Sequence, residues 1–300
     1  MPAFDLLIIG QPSLDINTDH LGHTVREIGG AVVYSAYAAS ALGHSVLALG
    51  KCDPAEIDLE SVFARARNVT LAPCPSKSGT SISNTYFTAD KERRACRMLS
   101  RIPSYTIEDL PEERASVYHI AGLMRGDIDE AVIGAAAELG DVALDVQGFL
   151  RCVRPGGAMA FEDWPRKREM LPLIRYLKTD AAEAQALTGT EDRRHAAAML
   201  YEWGSGPLKR PMEIMITHNT EVLIFDGAAY YTEPFRPRNL SGRSGRGDSC
   251  FASYITERLT REIPSALRTA AALTSLKMEK TGPFQGTRAD VEACLSAFYH

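Results

Sequence analysis

Short apolar runs alternate with helical patterns along most of this chain. Residues 4–10 (FDLLIIG) form an apolar run ending in glycine, which predicts a buried strand. Residues 11–15 then leave it as a loop. Gly29-Gly30 precedes a run rich in alanine and tyrosine up to Leu42, closed by Gly43, which predicts a helix. Residues 45–52 predict the next strand. Residues 80–88 (TSISNTYFT) differ: they are β-branched and aromatic, and they alternate. With a turn at 89–92 and a return over 93–99 they predict a hairpin, and 14–28 predicts one more exposed strand. Beyond residue 104 the alternation resumes. Strands are expected at 117–123, 141–146, 213–217 and 222–225, the last two as a hairpin. Helices are expected at 128–139, 166–177, 181–187, 248–261, 264–279 and 289–299. Repeated βα units imply an α/β fold, a mostly parallel sheet between helices, carrying a small β-flap.

Length allows two domains, but the absence of a linker or repeat favours one domain over 1–300, with the flap built from about 12–28 and 76–102. Hydrophobic residues at 45% and charged residues at 24% are ordinary globular values and exclude a disordered, collagenous or coiled-coil chain. No apolar run approaches the roughly 18 residues of a membrane span. The N-terminus has no basic stretch, and residues 4–9 are too short for a signal-peptide core, so a cytoplasmic protein is expected. A net charge of −5 with dispersed basic residues argues against nucleic acid as partner. The six cysteines are far apart and form no CxxC pair, which predicts reduced thiols and no zinc site. His20, His23, His44, His119 and His218 show no ligand spacing.

The segment with most chemical content is Ser241-Gly-Arg-Ser-Gly-Arg-Gly-Asp-Ser-Cys-Phe251. Gly242, Gly245 and Gly247 lead straight into a helical pattern. Glycines let the backbone approach a ligand, and helix N-terminal N–H groups suit an anion. Arg243 and Arg246 add positive charge. The spacing imitates a P-loop, but Asp248 holds the place of its lysine and would repel a phosphate there. A carboxylate at such a mouth suits a base that takes a proton from an attacking hydroxyl, while the N–H groups of Gly245, Arg246 and Gly247 hold the phosphoryl. The plainer reading makes Asp248 a helix N-cap and the glycines a turn.

At this point the chain resembles the ribokinase-like (PfkB-type) carbohydrate kinases. Ser244-Gly-Arg-Gly-Asp248 is similar to that family's G-A-G-D signature, and Gly29-Gly30 to its N-terminal G-G. Asp15 matches its substrate-binding acid. Lys178-Thr-Asp-Ala-Ala-Glu183 resembles its N-x-x-E motif, and Thr217 stands where it binds nucleotide. The resemblance covers most of the chain and implies a three-layer αβα fold with a β-lid, ATP as phosphoryl donor and Mg²⁺. It implies a sugar, polyol or nucleoside acceptor, with Asp248 as base and Glu183 in the outer shell of Mg²⁺. A homodimer through the lid is an assembly it allows.

Four positions depart from the pattern: Tyr34 and Asp180 replace asparagines, Asn219 a glycine, and Arg246 a small residue. The changes at 34 and 246 resemble an atypical branch that includes myo-inositol kinases and some nucleoside kinases. Asp15, Gly29, Gly30 and Tyr34 are then expected at the acceptor, and Asp180, Glu183, Thr217, Asn219 and Arg243 around the donor. Gln147 follows a strand end, where open α/β sheets bind ligands, and is a further pocket candidate. Taken alone, Asp180 and Glu183 make a solvated acidic face and Tyr34 a core residue. A kinase for a hydroxymethyl heterocycle and a non-catalytic ligand sensor are the rival readings.

Overall fold

The computed structural model describes residues 2–88, 93–205 and 211–299. The first third of the chain runs β1 (Phe4–Ile9), β2 (Ser13–Thr18), β3 (Thr24–Gly29), α1 (Ala31–Ala41), β4 (Val46–Cys52), α2 (Leu59–Phe63), β5 (Val69–Pro75), β6 (Thr80–Tyr86) and β7 (Arg94–Ser100). The middle runs β8 (Ala115–Ile120), α3 (Ala131–Ala137), β9 (Asp141–Asp145), α4 (Gln147–Leu150), β10 (Arg151–Val153), β11 (Met159–Phe161), α5 (Lys167–Met170), β12 (Tyr176–Asp180), α6 (Ala181–Thr188) and α7 (Arg193–Ser205). The remainder holds β13 (Glu213–Thr217), β14 (Glu221–Phe225), β15 (Tyr230–Pro234), α8 (Arg246–Glu257), α9 (Ile263–Met278) and α10 (Arg288–Phe298).

Among the described residues, nine strands form one sheet in the order β15-β14-β13-β12-β9-β8-β1-β4-β5. It is parallel from β13 to β5, and β14 and β15 add an antiparallel edge. Apolar strands buried on both faces make this possible, as β1 illustrates. Leu6 and Ile8 face a core built with α1, α8, α9 and α10, while Leu7 and Ile9 face another built with α3, α6 and α7. The chain builds outward from β1 through β4 to β5, then restarts beside β1 at β8 and builds the other way. Such a reversal opens a crevice at the carboxyl ends of the strands.

A second sheet, ordered β3-β2-β6-β7, is the expected flap. Residues 14–28 form two strands here rather than one. Asp19 makes the turn by accepting from the N–H groups of Leu21 and His23, and Gly22 supplies a φ of +88°. The expected turn at 89–92 lies outside the described residues. Residues 166–177 do not form one helix. Helix α5 is short, a 3₁₀ turn spans Leu171–Leu173, and Tyr176 already opens β12. Pro172 cannot donate the hydrogen bond that would carry the helix on. Sequence periodicity also passes over α2, β5, α7, β15 and the β10–β11 hairpin. All six cysteines are free thiols. Among the described residues no helix is long and apolar enough to cross a membrane.

Candidate active site

The glycine segment sits at the strand ends, clamped from behind by α9. The Gly242 N–H donates to Met278 O at 2.7 Å, and Lys277 Nζ donates to Gly242 O at 2.8 Å. A Cβ on Gly242 would lie 1.6 Å from the Lys280 carbonyl oxygen, so only glycine fits. Gly245 is the N-cap of α8 with φ +73°, and a Cβ there would lie 2.1 Å from Cγ of Tyr34. The Tyr34 ring thus packs directly under the loop, with Lys277 Nζ 5.2 Å from its centroid. A Cβ on Gly247 would approach Lys178 Nζ to 3.4 Å. The loop is therefore threaded between an aromatic ring and two lysines.

Asp248 is not the N-cap. It stands three residues after Gly245, and no side chain caps the helix. Among the described residues the N–H groups of Gly247 and Asp248 find no backbone acceptor, whereas Arg246 N donates back to Arg243 O at 3.3 Å. Gly245 N likewise has no backbone acceptor among those residues, so of the three N–H groups expected to face an anion only that of Arg246 is committed to the backbone. Asp248 is only partly buried. Burial raises its pKa to about 6, Lys178 opposes this, Asp145 adds to it, and Arg151 and Lys277 oppose it.

Behind that carboxylate lies a buried charge cluster. Lys178 Nζ donates to Asp145 Oδ2 at 2.8 Å and lies 3.9 Å from Glu183 Oε2. Burial pulls the ammonium down, but Asp145, Glu183, Asp248 and Asp180 together outweigh it and keep it charged. Asp145 Oδ1 also accepts from Gln147 N at 3.1 Å, which fixes the start of α4. Asp180 and Glu183 cap α6 reciprocally, each accepting from the other's backbone N–H, at 2.7 and 2.8 Å. Glu183 is 1% exposed, so it is no solvated acidic face, and burial raises its pKa against the pull of Lys178.

Facing this cluster, the first turn of α1 and the small sheet build a second wall. Asp15 on β2 accepts from Ser13 Oγ at 2.8 Å. Burial raises its pKa to about 6, opposed by Ser13, Arg94 and Arg151. Gly29 lies against it: a Cβ there would be 2.6 Å from Asp15 Oδ2. Gly30, at φ +98°, lets α1 begin against the Gln11 carbonyl, which a Cβ would approach to 2.4 Å. Burial raises the Tyr34 phenol, and the charges of Asp15 and Asp248 raise it further, so it lies between the two walls.

On the other flank, Thr217 ends β13 opposite Asp180 and its hydroxyl donates to Thr179 O at 3.4 Å. The Arg246 guanidinium leaves the glycine loop and donates to Asn219 O and Oδ1 at 3.4 and 3.2 Å. Arg243 is half-buried just before the cap. The structure thus puts Asp15, Gly29 and Gly30 on one side of Tyr34 and the Gly245 loop on the other, with Asp180, Glu183 and Thr217 at the neighbouring strand ends. Sequence reasoning singles out Asp180, Glu183 and Gln147, and passes over Lys178, Asp145, Lys277, Arg94 and Arg151. Lys277 carries a readable signal. It falls on the same helical stripe as Ala266, Ala270 and Leu273, where a charge is out of place.

For a divalent cation, the donor set fits a hydrated ion. Asp180 and Glu183 each keep one carboxylate oxygen outside their capping exchange. Among the described residues no three His, Cys, Asp or Glu side chains form a cage. Mg²⁺ retains much of its water, so contact through water is the fit these carboxylates allow.

No family model matches the chain, and no curated protein matches it. Solved structures do. A sulfate complex of a pyrophosphate-dependent kinase in the ribokinase family is 31% identical, covers 96% of this chain and 99% of its own, and superposes with a TM-score of 0.85. A pyrophosphate-dependent kinase in the ribokinase family, complexed with a pyrophosphate analogue and myo-inositol, is 31% identical over 96% and 99%, with a TM-score of 0.84. The ribokinase of Arabidopsis thaliana, complexed with ribose and ATP, shares the fold with a TM-score of 0.74 at 15% identity over 98% and 99%.

Proposed function

The chain belongs to the ribokinase family, and on that premise we propose that it transfers a phosphoryl group from inorganic pyrophosphate to a hydroxyl of a polyol such as myo-inositol. The observation that carries this reading is the placement of Asp248, between a helix N-terminus ringed by cations and the wall that holds Asp15. Backbone N–H groups of Gly245, Gly247 and Asp248, with Lys178 and the loop arginines, suit the phosphates. Asp15, backed by Gly29 and Gly30, suits acceptor hydroxyls, with Tyr34 and Gln147 beside it. Asp248 takes the proton of the attacking hydroxyl. Positioning and charge stabilisation supply most of the rate in such transfers.

The donor assignment departs from the ATP that the sequence signature implies. Two observations support it. Two solved relatives at 31% identity are described as pyrophosphate-dependent. Arg246, fastened to Asn219 by two hydrogen bonds, also adds a fixed cation beside the same loop. Asp180 and Glu183 would hold a hydrated Mg²⁺, which would offset phosphate charge.

The test is a turnover assay pairing pyrophosphate or ATP with sugars, inositols, nucleosides and pyridoxal. Transfer from pyrophosphate to a polyol is expected. Transfer from ATP alone overturns the donor, pyridoxal phosphorylation overturns the acceptor class, and silence with every pair overturns the kinase reading.

A further inference from the structure

Helix α9 ends its buried stripe on a charge. Lys277 is 1% exposed, and its Nζ donates to Gly242 O at 2.8 Å. Met278 O, on the next residue of α9, accepts from Gly242 N at 2.7 Å. One helix end therefore grips a single glycine of the loop by both its N–H and its carbonyl. The same ammonium lies 5.2 Å from the centroid of the Tyr34 ring. Gly245, the N-cap of α8, packs against that ring so closely that a Cβ would lie 2.1 Å from Cγ. Lysine and N-cap thus share one aromatic neighbour. An ammonium has three N–H donors. The Gly242 carbonyl takes one, and among the described residues no ion pair engages another. Asp248 and Glu27 favour the charge from longer range and Arg246 opposes it, but burial outweighs them and lowers the pKa to about 8. Buried charges are ordinarily paired. This one lacks a partner, and the backbone it grips is the one whose free N–H groups suit an anion.

We propose that Lys277 is a positioning residue of the donor site: its ammonium fixes the glycine loop through the Gly242 carbonyl, and its counter-charge is the anion that binds at that loop. The proposal rests on the transfer reading above, which makes that anion pyrophosphate. The side chain then has two states. Charged, it holds the loop and attracts the anion; neutral, it still donates to Gly242 but offers no charge. The attraction is fully present well below pH 8 and is lost as the pH rises through that value, because burial has lowered the pKa from its ordinary position. A bound anion must in return raise that pKa, so binding above about pH 8 takes up a proton.

The experiment titrates the full chain with inorganic sulfate, an anion of constant charge, by calorimetry from about pH 7 to about pH 9.5. Wild type is compared with Lys277→Arg and Lys277→Gln. Of the groups around Lys277, Asp248 is already ionised over this range, Arg246 stays charged, and burial raises the Tyr34 phenol. Wild-type affinity is expected to fall about tenfold across the range, the equivalent of one unit of pKa shift on binding. Lys277→Arg, whose charge does not titrate here, should keep its affinity at about pH 7 and lose that fall. Lys277→Gln keeps a donor for Gly242 O without the charge, and should bind about tenfold more weakly at about pH 7, again without the fall. Glu183, which burial raises to about 8, titrates in the same window, and the two variants separate its effect from that of Lys277. A fall of equal size in wild type and both variants overturns the proposal, since a clamp without electrostatic coupling gives that result. A wild-type affinity that does not change with pH also overturns it. If Lys277→Arg does not fold, the comparison is read from Lys277→Gln. A wild-type chain that binds neither sulfate nor pyrophosphate overturns the donor site together with this proposal. A chain that shows the expected sulfate pattern but transfers to no acceptor overturns the transfer reading and leaves the role of Lys277 standing.

Discussion

Asp248 meets two opposing demands. Under the proposed transfer it would act as a base and would have to be ionised, yet burial penalises its charge, and Lys178, Arg151 and Lys277 relieve that penalty only in part. With its pKa raised to about 6, the carboxylate is the minor form in more acidic solution. The expected consequence is that kcat/KM falls about tenfold per pH unit once the pH drops below that value, and is flat just above it. Asp248→Asn removes the base and keeps the shape. It should cost ~10²–10⁴ in rate while calorimetry still detects pyrophosphate binding. An Asn variant with near-wild-type kcat would remove Asp248 from the chemistry. The sequence singles Asp248 out but leaves it open between a base and a helix N-cap, and the structure removes the second reading by placing Gly245 at the cap. Lys178 was not, because a lysine at the end of an apolar strand gives no sign of which carboxylates the fold will bring to it.

The glycine loop and α8 act as one element, and their placement rests on contacts with distant parts of the chain. Gly242 is closed against the end of α9 so tightly that a side chain would overlap Lys280 O. Gly242→Ala should therefore displace the loop, lowering stability by about 1–3 kcal/mol, as overpacking does. The check is a urea melt combined with protection by pyrophosphate. An alanine variant with wild-type stability and affinity would show that the loop bends freely at this point. The periodicity of α8, α9 and α10 was readable because each presents a continuous apolar stripe. The helix expected over 166–177 failed because its residues serve three short elements, and local pattern cannot see the strand partners that capture Tyr176 to Asp180. Arg151 was hidden for a similar reason. Its contacts with Gln147 and Phe161 depend on the β10–β11 hairpin, whose local sign in the sequence is the Pro155-Gly156-Gly157 turn.

At the scale of the molecule, the reversal of strand order beside β1 brings loops from both halves of the chain to one crevice, and α1 packs directly against α8 on the same face of the sheet. A ligand that binds there holds both halves together and stabilises the native state by about 2.7 kcal/mol at a hundred times its Kd. Pyrophosphate should therefore raise the melting temperature by several degrees, and ATP at equal concentration by less. A larger shift with ATP would contradict the donor assignment. Under the proposed transfer, the ring of Tyr34, lodged beneath Gly245, would be a wall common to both substrates. Any change in the ring's position that favours one substrate alters the surface offered to the other. Linkage then requires reciprocity: whatever factor the polyol contributes to pyrophosphate affinity, pyrophosphate must return to the polyol. Tyr34→Leu should bring that factor toward one in both directions, and calorimetric titration of each ligand with and without its counterpart measures it.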